Sequence, residues 1–541
     1  MATADIQATE TVPWWRGAAI YQVYPRSFAD GNGDGIGDLA GIRQRLPYLA
    51  ELGVDAVWMS PWYPSPMADA GYDIADFRDI DPVFGTLAEA ELLIKEAHDL
   101  NIRIIVDVVP NHCSDAHPWF VEALAAGPGS PQRQRFWFRA GRGPTGDTPP
   151  TDLQSIFGGP AWTRVTEPDG SPGEWYLHLF APQQPDFNWE HRAVWAEFDD
   201  ILRFWFDRGV DGIRIDSAAV LIKEPLPRDE ASYTDRDEVH QVYRAWRRIS
   251  DSYPDERILI GEVWLPDPAR FARYLRPDEL HTAFNFAFLN CPWDAAEMRR
   301  CVDETIFAHA PVGAPPTWVL SNHDVTRHVT RYGRQNTSFS FETRVEGVPL
   351  DLALGERRAR AAILLTLALP GAAYLYQGEE LGLAEVEDIP LDRRTDPMFS
   401  RSGGSNPGRD GCRVPLPWSG TRQPFGFSPD DAETRSWLPQ PAAWASRTVQ
   451  AQTGDPGSML ELYRAALRIR RAESALGDGA IRWIDAGEGT LAFTRDPGFT
   501  CVVNLSSGAV ALPEHMKILL ASGSTANRLL PKDSAAWLRT R

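Results

Sequence analysis

Eight short strand-like apolar runs recur along this chain, at 19–24, 56–60, 102–109, 212–216, 258–262, 282–286, 318–321 and 373–377. Amphipathic stretches separate most of them, such as 89–100 and 193–208. The second carries Trp195, Phe198, Leu202, Trp205 and Phe206 at helical spacing. A strand-then-helix alternation repeated eight times predicts an α/β protein built on a closed (β/α)8 TIM barrel. At 541 residues and 43% hydrophobic, the chain can bury that core and still hold smaller domains. The alternation breaks after the third run, where about eighty residues rich in Gly, Pro and aromatics predict a small inserted domain rather than a bare loop. It breaks again over 383–444, a polar stretch placed at the barrel mouth. A helix over 458–471 should close the barrel, and alternating runs such as 490–494 and 500–504 predict a C-terminal all-β domain. The expected division is a barrel from 1–111 and 185–474, an inserted domain over 112–184 and a β domain over 475–541.

Three of the runs close on an acid: Gly212-Ile-Arg-Ile-Asp216, Leu259-Ile-Gly-Glu262 and Val319-Leu-Ser-Asn-His-Asp324. A carboxylate at the C-terminal end of a barrel strand points into the mouth where such folds do their chemistry. Three of them, from distant parts of the chain, fit a site needing one nucleophile, one proton donor and one further anion. Cleavage of a glycosidic bond has those needs. Arg214 lies two residues before Asp216 and so on the same strand face, where it can keep that carboxyl ionised. The acid partner needs the opposite, a drier setting that raises its pKa.

Composition excludes other classes. A formal net charge of -20 argues against nucleic acid, whose phosphates need a basic face. Twenty Trp, fourteen Tyr and twenty-four Phe supply a core and also suit a cleft where a sugar face can stack. Cys113, Cys291, Cys301, Cys412 and Cys501 are odd in number and scattered, which indicates neither a disulfide framework nor a zinc site. The opening residues MATADIQATETVPWW lack a basic start and an apolar stretch, so no signal peptide is expected. No run of about 18 apolar residues predicts a membrane span. The expectation is a cytoplasmic protein with no membrane or nucleic-acid partner and no organic cofactor.

Four motifs then carry a resemblance. Asp107-Val-Val-Pro-Asn111-His112, Gly212-Ile-Arg214-Ile-Asp216, Gly261-Glu262-Val-Trp264 and Ser321-Asn-His323-Asp324 resemble, in order, the four conserved regions of glycoside hydrolase family 13, the α-amylase family. The likeness covers nearly the whole chain. It implies Asp216 as nucleophile, Glu262 as general acid/base, and Asp324 as the residue holding the 2- and 3-hydroxyls of the sugar. It also implies that His112, Arg214 and His323 orient these groups and the glucose, while Asp107 and Asn111 hold the third strand's loop. The implied chemistry is retaining double displacement.

Within the family, Gln184-Pro-Asp186-Phe-Asn188-Trp189 and Asp69-Ala-Gly-Tyr72 resemble motifs of oligo-1,6-glucosidases and α-glucosidases, with Phe187 where Leu is usual. Tyr72 would stack on the glucose, and Asp69 would bind hydroxyls at its non-reducing end. Arg409-Asp-Gly-Cys-Arg413 resembles a loop whose second arginine pairs with that Asp, so Asp69 and Arg413 are expected to close the pocket. Phe157, Phe180 and Gln184 are expected to line it. Ser217, after the nucleophile, favours a maltose-type α-1,4 linkage or sucrose over α-1,6. The implied activity is an exo-acting α-glucosidase on small α-glucosides, with transglucosylation open to it. A sucrose-directed hydrolase or glucosyltransferase, or a trehalose synthase, is the alternative on the same scaffold. An inactive binding subunit is the distant one, since all three acids are kept.

Asp30-Gly-Asn32-Gly-Asp34-Gly-Ile36-Gly-Asp38 alternates oxygen-bearing side chains with glycine, which suits a hard cation such as Ca²⁺, or Mg²⁺. It is not an EF-hand, because Gly41 occupies the twelfth position, where a Glu is required. The resemblance places a structural metal in such a loop, with Ile36 offering its carbonyl.

Overall fold

The computed structural model describes residues 12–341, 344 and 346–540. Residues 1–11, which bear on the expectation of no leader segment, lie outside them.

All eight runs form parallel strands: β1 (Ala19–Val23), β2 (Ala56–Met59), β3 (Arg103–Val108), β4 (Gly212–Ile215), β5 (Ile258–Gly261), β6 (Thr282–Ala283), β7 (Thr317–Val319) and β8 (Ala372–Tyr376). They lie side by side in the order β7-β8-β1-β2-β3-β4-β5-β6. The remaining seam, between β6 and β7, is crossed by a side-chain bond in which Thr317 Oγ1 donates to the Ala283 carbonyl at 2.5 Å. Strand β6 is shorter than the expected 282–286. Asn285 accepts the Phe288 N–H and caps a helical turn over Phe286–Asn290, so the chain leaves the sheet two residues after Ala283.

The helices follow from local signals. Thr86 and Glu89 form a reciprocal capping box that starts helix Leu87–Asp99. Helix Arg192–Asp207 buries Val194, Phe198, Ile201, Leu202, Trp205 and Phe206 as one apolar stripe against the barrel. Helix Met459–Ala472 begins on Ser458, which accepts from the Glu461 N–H.

Between β3 and β4 stand helix Pro118–Ala126 and a three-stranded antiparallel sheet of Phe138–Arg139, Trp162–Thr166 and Pro172–Leu177. A buried cation ties this insertion to the barrel. Lys223 Nζ donates to Asn111 Oδ1 at 2.7 Å and lies 3.3 Å from the Asp186 carboxylate. After the last long helix, five antiparallel strands form the C-terminal sheet. Its Trp537 Nε1 donates to the Leu364 carbonyl in helix Leu352–Ala368, locking sheet to barrel. No helix among the described residues is long and apolar enough to cross a membrane.

Candidate active site

The strand register decides which side chains meet. Arg214 on β4 pairs with Asp107 on β3, and Ile215 pairs with Gly261 on β5. Asp216 and Glu262 therefore emerge side by side, their N–H groups bonded to the Val108 and Ile215 carbonyls at 2.9 Å each. Arg214 is buried between them. Its Nη1 donates to Asp216 Oδ1 at 2.7 Å and to Asp107 Oδ1 at 2.9 Å, and its Nη2 lies 2.8 Å from Glu262 Oε2. One positive charge thus faces three buried carboxyls. It cannot neutralise all of them, so protons are retained on some. Burial, with Asp216 and Asp324 adding to it against Arg214, pushes Glu262 up to about 7. Burial likewise pushes Asp107 up to about 7 against Arg214. Asp216 is also raised by burial, with Arg214 opposing.

Ser217 touches both mouth carboxyls. Its hydroxyl donates to Asp216 Oδ2 at 2.8 Å, and its N–H donates to Glu262 Oε2 at 2.9 Å. It does so from a left-handed backbone with φ of 49°, a conformation that costs an L-residue about 1–2 kcal/mol. The other oxygen of Glu262 accepts from Trp264 Nε1 at 2.9 Å.

The third acid has a different setting. Burial would raise Asp324, but His323, Arg409 and Arg413 gather on it and hold its carboxyl well below the usual carboxylate range. Its Oδ1 accepts from Arg409 at 3.1 Å and Arg413 at 2.9 Å, and its Oδ2 lies 3.2 Å from His323 Nε2. Burial pushes His323 down to about 3, so the ring is neutral at neutral pH. Gln22 donates to its Nδ1 at 2.7 Å, which leaves the proton on Nε2 facing Tyr72 Oη at 2.6 Å. Tyr72 in turn donates to Asp107 Oδ2 at 3.0 Å and stacks on the His323 ring at 5.3 Å. This chain fixes the Tyr72 ring.

These groups open on a cavity of 530 Å³ lined by Asp69, Tyr72, His112, Phe157, Phe180, Asp216, Glu262 and Asp324, among others. Four expected site residues stand behind its wall instead. Arg214 and His323 orient the acids as described. Gln184 is fully buried and donates to Asp69 Oδ2 at 3.1 Å, so it positions a lining residue rather than lining the cavity itself.

Arg413 requires a correction. The expected Asp69–Arg413 pair does not form. Arg409 holds Asp69, with Nη2 to Oδ1 at 2.5 Å, while Arg413 binds Asp324 and the His323 carbonyl. The short 3-10 turn Asp410–Cys412 carries Arg413 behind Asp324 and leaves Arg409 facing the cavity. Arg409 also donates to Asp396 at 2.5 Å and lies over the Phe157 ring at 5.0 Å. Sequence reasoning chose the wrong one of two arginines four residues apart. It also passed over Trp264, although the residue sits inside one of the four motifs, and Tyr233, Phe341 and Met398, the last on the one-turn helix Pro397–Arg401, none of which belongs to a motif.

In the glycine-rich loop, Asp30 Oδ1 accepts from Asn32 and Gly33, Asn32 Oδ1 from Asp34, and Asp34 Oδ1 from Ile36. Asp38 caps helix Leu39–Leu52 through the Gly41 N–H at 2.7 Å and also accepts from Gly31 and Asn32. Among the described residues, no group of three or more His, Cys, Asp or Glu side chains is arranged to hold a metal. The loop's donors, three Asp, one Asn and the Ile36 carbonyl, are all oxygen and fit a hard cation in their chemistry.

Comparison with known proteins places this geometry. Residues 22–479 match the model of the α-amylase catalytic domain. A probable α-glucosidase of Rhizobium meliloti is 36% identical over 542 residues, covering 94% of this chain and 92% of that protein. Among solved structures, the α-glucosyl transfer enzyme XgtA aligns with a TM-score of 0.85 at 34% identity, over 98% of this chain and 100% of its own. A mutant of isomaltulose synthase from Erwinia rhapontici, in complex with its natural substrate sucrose, aligns with a TM-score of 0.84 at 30% identity, over 98% and 99%.

Proposed function

The chain belongs to the α-amylase family, glycoside hydrolase family 13, and on that premise we propose that it is a retaining, exo-acting α-glucosidase releasing one terminal α-glucosyl residue from small α-glucosides. The observation that carries this reading is a single guanidinium, Arg214, bonded to both Asp216 and Glu262. Two carboxyls gripped that way fit the short separation of about 5–5.5 Å at which one can attack the anomeric carbon directly. Asp216 attacks while Glu262, its proton retained by burial, protonates the leaving oxygen. Glu262 then takes a proton from the incoming water or alcohol as the ester opens. Asp324, held ionised at neutral pH by the charges around it, accepts hydroxyl hydrogen bonds from the sugar. Asp69, held by Arg409 and Gln184, closes the inner end and leaves room for one glucose.

The outer lining selects the aglycone. Ala219, Val220, Tyr233, Trp264, Phe341 and Met398 give it an apolar character, and Trp264 is stacked face to face on Phe286 at 3.6 Å. Arg409 is the only arginine or lysine among the described lining residues, and three carboxylates already engage it. A phosphorylated glucoside would find no free cation there. The small Ser217 supports an α-1,4 linkage, and an apolar outer site supports transfer to alcohols alongside hydrolysis. Five buried, unpaired cysteines fit a reducing compartment such as the cytoplasm.

The second reading, a sucrose-directed transferase or isomerase, is supported by the fold similarity to isomaltulose synthase. A panel of maltose, isomaltose, sucrose, trehalose, trehalose 6-phosphate and an aryl α-glucoside decides between them. Free glucose from maltose and the aryl glucoside, with the phosphorylated sugar untouched, is the expected result. Isomerised sucrose as the main product would replace the first reading with the second.

For the loop over 30–38 the proposed ligand is Ca²⁺, held by Asp30, Asn32, Asp34, Asp38 and the Ile36 carbonyl, where it would brace the start of helix Leu39–Leu52. A ligand that binds only the folded state raises the melting temperature. The protein should melt higher in Ca²⁺ than in chelator, with Mg²⁺ less effective. Coincident melting curves would remove the metal from the picture.

A further inference from the structure

We infer that the Ser217 hydroxyl controls the lifetime of the glucosyl-enzyme, by stabilising the Asp216 carboxylate as it leaves the sugar. The inference rests on Asp216 being the nucleophile. Its two oxygens have unequal partners. Oδ1 is held at 2.7 Å by the charged Arg214 guanidinium, and Oδ2 at 2.8 Å by the neutral Ser217 hydroxyl. An esterified oxygen is a weak acceptor, so whichever oxygen attacks gives up its donor when the ester forms. Giving up the neutral donor costs less than giving up the charge-assisted one. The geometry therefore points to Oδ2 as the reacting atom.

In the first step the bond from the anomeric carbon to the glycosidic oxygen breaks. A bond from that carbon to Oδ2 forms, and the Glu262 proton goes to the departing oxygen. In the second step a water oxygen bonds to the anomeric carbon, the bond to Oδ2 breaks and the water proton returns to Glu262. The hydrogen bond from Ser217 is released in the first step and regained in the second. It thus favours free carboxylate over ester and speeds ester breakdown. The left-handed backbone serves this arrangement, since it lets one residue place its N–H on Glu262 and its hydroxyl on Asp216.

The test uses Ser217→Ala and Ser217→Gly with an aryl α-glucoside whose phenolate leaves readily, so that ester breakdown limits kcat. Both lose the hydroxyl, and glycine accepts the left-handed backbone without strain. Each should lower kcat roughly ten-fold, with KM falling at least as far and kcat/KM equal to or above the parent's, since the hydrogen bond given up in the first step is no longer there to lose. Each should also release a rapid burst of phenolate approaching one per active site. A fall in kcat/KM matching that in kcat with no burst, or wild-type kinetics in both variants, would overturn the role of the hydroxyl. Asp216→Asn, run alongside, separates the two failures. If it still turns over substrate, the nucleophile assignment falls. If it is inert while both Ser217 variants behave as wild type, only the Ser217 inference falls.

Discussion

Asp216→Asn should leave a folded protein whose turnover is lower by on the order of 10⁴-fold or more, because the amide cannot form the ester on which double displacement depends. The amide is nearly isosteric, and Arg214 keeps its bonds to Asp107 and Glu262, so thermal unfolding should shift little. The same pair of carboxyls fixes the pH dependence. In the proposed mechanism Glu262 must carry a proton to start the reaction, and burial pushes it up to about 7, so kcat/KM should fall about ten-fold per unit above that pH. Asp216 must be ionised, so activity is lost again as the pH drops through its own pKa, which burial raises above the ordinary carboxylate value. The two limbs belong to the coupled pair rather than to either group alone. Glu262→Gln should abolish the basic limb. A profile flat from pH 6 to 9 in the unmodified protein would contradict the assignment of Glu262 as the acid.

Arg409→Met should be the most destabilising single change at the site. Arg409 is buried and bonded to Asp69, Asp324 and Asp396 at 2.5, 3.1 and 2.5 Å. Removing one partner from a buried ionic cluster leaves charge without compensation and typically costs about 3–5 kcal/mol. Arg413 remains on Asp324 at 2.9 Å and faces Asp396 at 3.7 Å, so the loss falls chiefly on Asp69. Asp69 is already raised to about 6 by burial, against the pull of Arg409. Without that arginine it goes higher, and a carboxyl with a raised folded-state pKa loses stability as the pH rises. The deficit in unfolding free energy, measured by urea melts, should therefore widen between pH 5 and 8. Activity on maltose should also collapse, since Asp69 and Phe157 lose the group that sets them. Arg409→Lys should rescue little, because an ammonium cannot reproduce three donors in a plane. Equal stability of the methionine variant and the parent would mean that the cluster holds no charge worth compensating.

Much of this site is legible in the sequence because it is written locally. A strand closing on an acid needs only a few residues to be recognised, and a parallel barrel delivers every such acid to one end. The two-residue spacing of Arg214 and Asp216 likewise foretells their pairing, which the strand pleat enforces at 2.7 Å. The eight strands were visible for the same reason, and where β6 ended early the cause was an equally local cap at Asn285.

What the sequence could not decide is which side chains from separate loops meet. Asp69 and Arg409 are 340 positions apart, and the path of the chain between them selected Arg409 over Arg413. Gln184 passed behind the wall, and Ser217 took a left-handed backbone that no propensity assigns to serine. The sequence by itself determined the barrel, the three acids and hence the bond to be broken, since strand periodicity and strand-end position are properties of short stretches of chain. Only the tertiary structure decided which arginine holds Asp69, how far burial raises Glu262 and which apolar side chains line the cavity. Those depend on burial and on charges brought together from distant residues, and both quantities exist only once the loops are packed.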